Sequence, residues 1–221
     1  TRGSGAGGAQ PVQQFIGIGG WKDGPIRRQH RKEVETTLGE DDGILIIDGS
    51  DFPKQGSHSA GVKWQYCGQL GKRANCQASV FAGYASSKGY TLLDARLYIP
   101  EVWFGEAYAD RRRRCRIPEE VAFQTKNEHA WEMLASINEE GILRFRWVTG
   151  DEAFGCDTGL LDHIASLGRW YFMEVPKDTQ VWTNRPQTGI PPWHGRGCKP
   201  KAQRVLQGQP LPERVDSVAD T

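Results

Sequence analysis

At 221 residues, 38% hydrophobic and 25% charged, the chain is long enough for one good-sized domain with a real core and ordinary in composition for a soluble globular protein. A net charge of +1 excludes a chain that binds nucleic acid through bulk basicity, so any such contact has to come from local patches. Apolar runs such as Ile44 to Ile47 are far too short to span a membrane, and the Gly-rich start from Thr1 to Ala9 lacks the apolar core of a signal peptide; a cytoplasmic protein is expected.

Residues 1–11 read as a flexible leader. The first residue is Thr rather than Met and the end at Thr221 has no clear closing element, so both ends read as cuts. Asp23 is placed to cap a helix with Pro25 in its first turn, running through Ile26, His30, Val34 and Leu38. After a break at 39–43 comes Gly43-Ile-Leu-Ile-Ile-Asp48, a continuous apolar run that reads as a buried strand closed by an acid. Residues 49–61 are dense in turn formers and read as a loop. From Lys63 to Tyr98 the pattern is hairpin-like: Cys76 to Tyr84 is β-prone, Ser86 to Gly89 makes a turn and Tyr90 to Ile99 partly alternates.

Glu101 to Arg114 reads as one helix, with Asp110 and Arg114 spaced for an ion pair. A second helix is expected over Lys126–Glu140, with Ala130, Met133, Leu134 and Ile137 on one face and Gly141 as its stop. Phe145 to Asp151 reads as another strand closed by an acid, Asp157 to Leu167 as a helix ended by Gly168, and Trp170 to Val175 as a last strand. Trp147 and Trp170 are expected in the core. The order strand, hairpin, helix, strand, helix, strand gives an α/β chain with a mixed sheet flanked by helices. The expected division is a leader and helical remnant over 1–42, a catalytic core over 43–176 and a basic Pro/Gly-rich connector over 177–221.

Chemistry concentrates in two carboxylates. Asp48 and Asp151 each close a strand, and sites in open sheets form beyond the carboxyl ends of strands. Side by side they repel unless a cation lies between them, and hard divalent ions suit oxygen donors. The fitting cofactor is Mg2+ or Mn2+, two ions clamping a phosphodiester. Five scattered cysteines without a close pair read as reduced thiols and give no zinc site.

The blocks Ile47-Asp48-Gly-Ser-Asp-Phe-Pro-Lys54-Gln-Gly56, His58-Ser59, Gln65-Tyr66-Cys67-Gly68 and Gly71-Lys72 closely resemble the DDE-superfamily endonuclease domain of bacterial insertion-sequence transposases. So do Leu97-Tyr98-Ile-Pro100, Thr125-Lys126, Trp147-Val148-x-x-Asp151-Glu-Ala-Phe-Gly155 and Gly189-Ile-Pro-Pro-Trp193. The resemblance implies a ribonuclease-H-like fold, here cut before its last catalytic helix. It implies Asp48 and Asp151 as catalytic metal ligands and a third acid, a Glu, with no matching position before Thr221 and expected beyond it. It implies DNA, both transposon ends and target, as partner, and a homo-oligomer assembled on that DNA. The implied activity is metal-dependent strand cleavage followed by strand transfer. The alternative is an inactive or domesticated transposase fragment that only binds DNA or a partner subunit.

Further candidates for DNA contact are Lys54 and His58 in the loop expected beside the acids, Lys72 and Arg73, and Arg185, Arg196, Lys199, Lys201 and Arg204. The last five lie in a stretch, Thr179 to Pro212, that holds no acid and carries Trp182 and Trp193, which suits phosphates and stacked bases. Arg111 to Arg114 read as a solvated helix face, Asp51 as a turn residue and Glu152 as structural.

Overall fold

The computed structural model describes residues 22–219, so the expected leader over 1–11 lies outside the described residues. Helix α1 spans Asp23–Leu38, and the strands β1 (Ile44–Pro53), β2 (Lys63–Cys67), β3 (Lys72–Ser86) and β4 (Gly89–Tyr98) follow. A short helix α2 (Ala109–Arg114) precedes α3 (Lys126–Glu140), β5 (Trp147–Gly150), α4 (Glu152–Gly155), α5 (Thr158–Ser166) and β6 (Trp170–Met173). The six strands form one sheet in the order β2-β3-β1-β5-β6, with β4 on the outer edge of β3. β1 runs antiparallel to β3 and parallel to β5, and β5 is parallel to β6. This mixed sheet flanked by helices is the expected ribonuclease-H-like arrangement.

One face of the sheet is the core. Leu45, Ile47, Val80, Ala82, Tyr84 and Val148 are buried there against α3 and α5. α3 is well specified by its own sequence. Thr125 Oγ1 accepts the Glu128 N–H at 3.1 Å while the Glu128 carboxylate accepts the Thr125 N–H at 2.7 Å, a closed capping box. At its other end Gly141 takes φ 58°, the left-handed turn that suits glycine. Met133, Leu134 and Ile137 are fully buried, each stabilising the fold by about 1.5–3 kcal/mol. The opposite face is open: Tyr90, Leu92, Trp170 and Phe172 stand exposed on it.

Several expectations are corrected. β1 continues to Pro53, so 49–53 is strand; Ser50 to Pro53 pair with Ser79 to Cys76, and that ladder outweighs the local turn preference. The stretch 101–114 is broken into two 3-10 turns, Glu101–Phe104 and Glu106–Tyr108, before α2. Asp110 pairs with Arg113, one turn on, and not with Arg114. Asp23 is inside the first turn of α1, whose cap is Lys22. Trp170 is 62% exposed on the open face, while Trp147 is half-buried beside it with ring centroids 6.0 Å apart. The five cysteines are free, as expected. Residues 177–216 fold back on themselves in two nested ladders, β7 (Gln180–Val181) with β10 (Glu213–Arg214) and β8 (Thr188–Gly189) with β9 (Arg204–Val205), before the short α6 (Val215–Ala219).

α1 is held on the sheet by charge. A bulge in β4 lets Leu93 and Asp94 both turn inward, because Ala82 pairs with Asp94 and Gly83 with Leu92. Asp94 then receives Arg27 at 3.0 Å and Arg31 at 3.1 Å, both from α1, and Arg96 from its own strand. Arg31, only 2% exposed, also reaches Glu140 of α3 at 2.9 Å. Asp94→Ala would take from the buried Arg31 guanidinium one of its two carboxylate partners and should cost about 3 kcal/mol or more in urea unfolding.

His129 on α3 is buried, and burial pushes its pKa below the ordinary histidine value. The unfolded chain therefore binds more protons once pH drops below about 6.5. Folding stability should fall as pH drops through that value toward the lower folded pKa. Unfolding curves of His129→Leu should lose this part of the acid sensitivity.

Candidate active site

Register brings the two strand acids together. β1 and β5 pair in parallel up to Ile47 opposite Gly150, so the next residues on each strand, Asp48 and Asp151, stand across a strand spacing of about 4.8 Å. Side chains alternate along a strand. Leu45 and Ile47 point into the core, so Asp48 points to the open face with Ile46 and Ser50. Val148 and Gly150 are buried, which puts Asp151 in phase with Thr149 on that same open side.

Their local settings differ. Asp48 is exposed, and among the described residues its carboxylate has no hydrogen bond or ion pair. It is the only charged residue lining a shallow concavity of about 480 Å3 that extends over β3 and β4 past Ile46, Phe81, Tyr90 and Leu92. Asp151 caps α4: its Oδ1 accepts the Ala153 N–H at 3.0 Å. The cap fixes the carboxylate's direction and leaves Oδ2 free. Two hard oxygen donors, adjacent and with no ion pair to either among the described residues, fit a divalent ion of the Mg2+ or Mn2+ type. No group of three or more acids, histidines or cysteines placed to hold a metal occurs among the described residues.

The other acids are accounted for by the fold. Asp51 lies in β1, not in a turn, and its Oδ2 accepts the Gly68 N–H at 2.8 Å, tying the strand to the 3-10 turn Gly68–Leu70. Glu152 is exposed in the first turn of α4. Asp157 caps α5 through the Leu160 N–H at 3.0 Å and accepts from Asn127 at 2.5 Å. These hydrogen bonds, the Leu160 N–H first, hold its pKa below the usual carboxylate value.

The cations separate into three places. Lys54 and His58 are not beside the acids: Lys54 follows Asp48 by six residues along a continuous strand, on the order of 20 Å. The loop at 54–58 is pinned there by Asn75, whose Nδ2 donates to the Lys54 and Gly56 carbonyls at 3.0 and 2.6 Å. Lys72 and Arg73 open β3 toward that same end, both exposed. Arg185, Arg196, Lys199, Lys201 and Arg204 are exposed on the 177–216 segment. Its two tryptophans are half tied, Trp182 Nε1 donating to the Pro210 carbonyl at 3.0 Å and Trp193 Nε1 to the Gly197 carbonyl at 3.2 Å. Lys126, given no role on sequence grounds, sits on the core side of β1 near Gly49, with its ammonium over the Tyr98 ring at 5.8 Å.

Residues 3–221 match the family described as DDE superfamily endonuclease. No curated protein and no solved structure matches the chain. Among the described residues, no helix is long and apolar enough to cross a membrane.

The cap and the charge of Asp151 can be separated. Asn caps a helix as well as Asp does. Asp151→Asn should therefore melt with the wild type, whereas Asp151→Ala should lose about 1 kcal/mol of stability in thermal or urea unfolding.

Proposed function

Because the chain belongs to the DDE superfamily endonuclease family, we propose that its transposase-like nuclease activity is centred on Asp48 and Asp151 and cuts DNA at the ends of an insertion sequence. The observation that carries this reading is the parallel register of β1 and β5, which sets two carboxylates side by side on the open face. Asp48 and Asp151 would hold Mg2+ or Mn2+, two ions in the full site. Bound there, such ions supply positive charge to the phosphodiester and favour ionisation of the attacking hydroxyl.

The protein's own groups do the placing. The Ala153 N–H fixes Asp151, and the buried side chains of Leu45 and Ile47 fix the phase of Asp48. The open face leaves room for a duplex to approach. Water attack on the scissile phosphorus breaks its P–O bond and frees a 3′-hydroxyl. That hydroxyl then attacks a phosphorus of target DNA, and the proton passes to the displaced 3′-oxygen. Cutting two element ends in concert calls for two such sites, the reason for a homo-oligomer on DNA. Lys54, His58, Lys72 and Arg73 at one end of the sheet, and Arg185, Arg196, Lys199, Lys201 and Arg204 on the 177–216 segment, supply cations for the phosphate backbone.

A second reading, DNA or partner binding without cleavage, is favoured by one observation: the described residues bring no third acid to Asp48 and Asp151. Nicking of supercoiled plasmid DNA with Mg2+ or Mn2+ decides. Asp48→Asn and Asp151→Asn should each lower nicking by more than the roughly 10–100-fold that loss of a supporting contact costs, with duplex binding retained. Nicking that survives both substitutions would sink the assignment. Wild-type protein that binds DNA tightly and never nicks it would establish the binding-only reading.

A further inference from the structure

A second basic site lies away from the acid pair, on the segment that docks against the loop carrying His58. Between Ala109 and Ile117 the chain places five arginines, Arg111 to Arg114 and Arg116, against a single acid, Asp110. Asp110 is taken by Arg113. Among the described residues no carboxylate pairs with Arg111, Arg112, Arg114 or Arg116. Uncompensated, these charges repel one another and destabilise the bare protein.

The segment is nonetheless held rigidly. The Arg112 guanidinium stacks over Phe104 at 4.8 Å and that of Arg111 over Tyr108 at 5.0 Å. Trp103, fully buried, anchors the preceding turn through its Nε1 to the Val62 carbonyl at 3.0 Å. Cys115 Sγ donates to the His58 carbonyl at 3.0 Å, which docks the end of α2 on the loop after β1. Stacking occupies a guanidinium's face and leaves its N–H edge free for an anion.

The decisive feature is the residue that ends α2. The Ile117 N–H bonds the Arg112 carbonyl and the Arg116 N–H bonds the Arg113 carbonyl, each at 3.1 Å. That pair of bonds is the helix-ending motif whose left-handed position is normally glycine. Here Arg116 occupies it at φ 53°, the only non-glycine residue with positive φ among the described residues. A strained backbone aims this arginine into a cleft of about 570 Å3 lined by Arg112, Arg113, Ile117, Pro118 and Glu119.

We propose that Arg112, Arg113 and Arg116 form a binding site for the phosphate backbone of DNA, separate from the acid pair, that positions the nucleic acid rather than cutting it. The proposal rests on the reading of this protein as a DNA-cutting enzyme. Guanidinium forks match phosphate oxygens in pairs. Arg112 and Arg116 present theirs without a carboxylate partner among the described residues, and Arg113 exchanges its exposed partner Asp110 for phosphate. The single acid on the cleft, Glu119, is outnumbered by the three arginines. The strain at Arg116 has a use only if its charge does.

Fluorescence anisotropy of a labelled duplex, titrated at several salt concentrations, tests this with Arg112→Gln/Arg116→Gln, Arg112→Lys/Arg116→Lys and Arg116→Gly. Each lost phosphate contact lowers the slope of log K against log salt by about 0.9. The double Gln variant should therefore lose about 1.8 from the slope, and the double Lys variant should keep it. Arg116→Gly should melt at a higher temperature than wild type and yet bind the duplex with a slope lower by about 0.9. Wild-type slopes in the Gln variants overturn this site alone, with plasmid nicking by the acid pair unaffected. A wild type that neither binds nor nicks DNA overturns the functional reading and this site together.

Discussion

The register of β1 against β5 is the constraint on which the site depends. A strand buried on one face has no freedom to slip, because a shift of one residue carries every apolar side chain to the wrong side. Leu45 and Ile47 are fully buried against the helices, and Val148 is buried on the neighbouring strand. Those three side chains settle which way Asp48 and Asp151 face. The antiparallel ladder with β3, ten residue pairs long, holds β1 from its other edge. Core burial thus fixes the acids' position before any ligand chemistry acts on them. The carboxylates themselves contribute nothing to that placement apart from the single cap made by Asp151.

The electrostatic cost of such a surface is offset elsewhere. Asp94 collects Arg27, Arg31 and Arg96 at the inner side of β4, and Arg31 continues to Glu140. A hydrophobic cluster of similar volume would often stabilise as much or more. What ionic groups add is direction: α1 has one rotation about its axis in which Arg27 and Arg31, four residues apart, both reach Asp94. α1 is otherwise weakly apolar, with Val34 its buried hydrophobic residue, so charge geometry does for this helix what a hydrophobic stripe does for α3.

Much of the frame was legible in the sequence because its signals are local. The run Ile44–Ile47, the apolar face of Ala130, Met133, Leu134 and Ile137, and the glycines at 141 and 168 each announce an element within a few residues. What escaped was decided at a distance. Residues 49–53 look like a turn until β3 supplies their hydrogen-bond partners. The inward turn of Asp94 depends on the bulge at Leu93, which no local pattern announces. Lys54 and His58 looked adjacent to Asp48 because they are close in number, yet a strand that keeps going separates them. The acid pair itself was readable, since both residues follow apolar strands that a parallel crossover makes neighbours. The cap made by Asp151 and the exposure of Asp48 were not.

The three left-handed residues that close α2, α3 and α5 set Arg116 apart. Gly141 and Gly168 take φ 58° and 69° and relax there without a side chain to clash. Arg116 adopts the same geometry at a cost of about 1–2 kcal/mol that glycine would avoid. The helix it ends is six residues long, with no buried residue to reward keeping that turn. Proteins break such local rules chiefly where function supplies the compensation. Packing does not supply it here, since Arg116 is exposed, and among the described residues neither does an ion pair. The proposed contact with DNA phosphates would supply that compensation, its sign set by three arginines that share the cleft with one acid, Glu119.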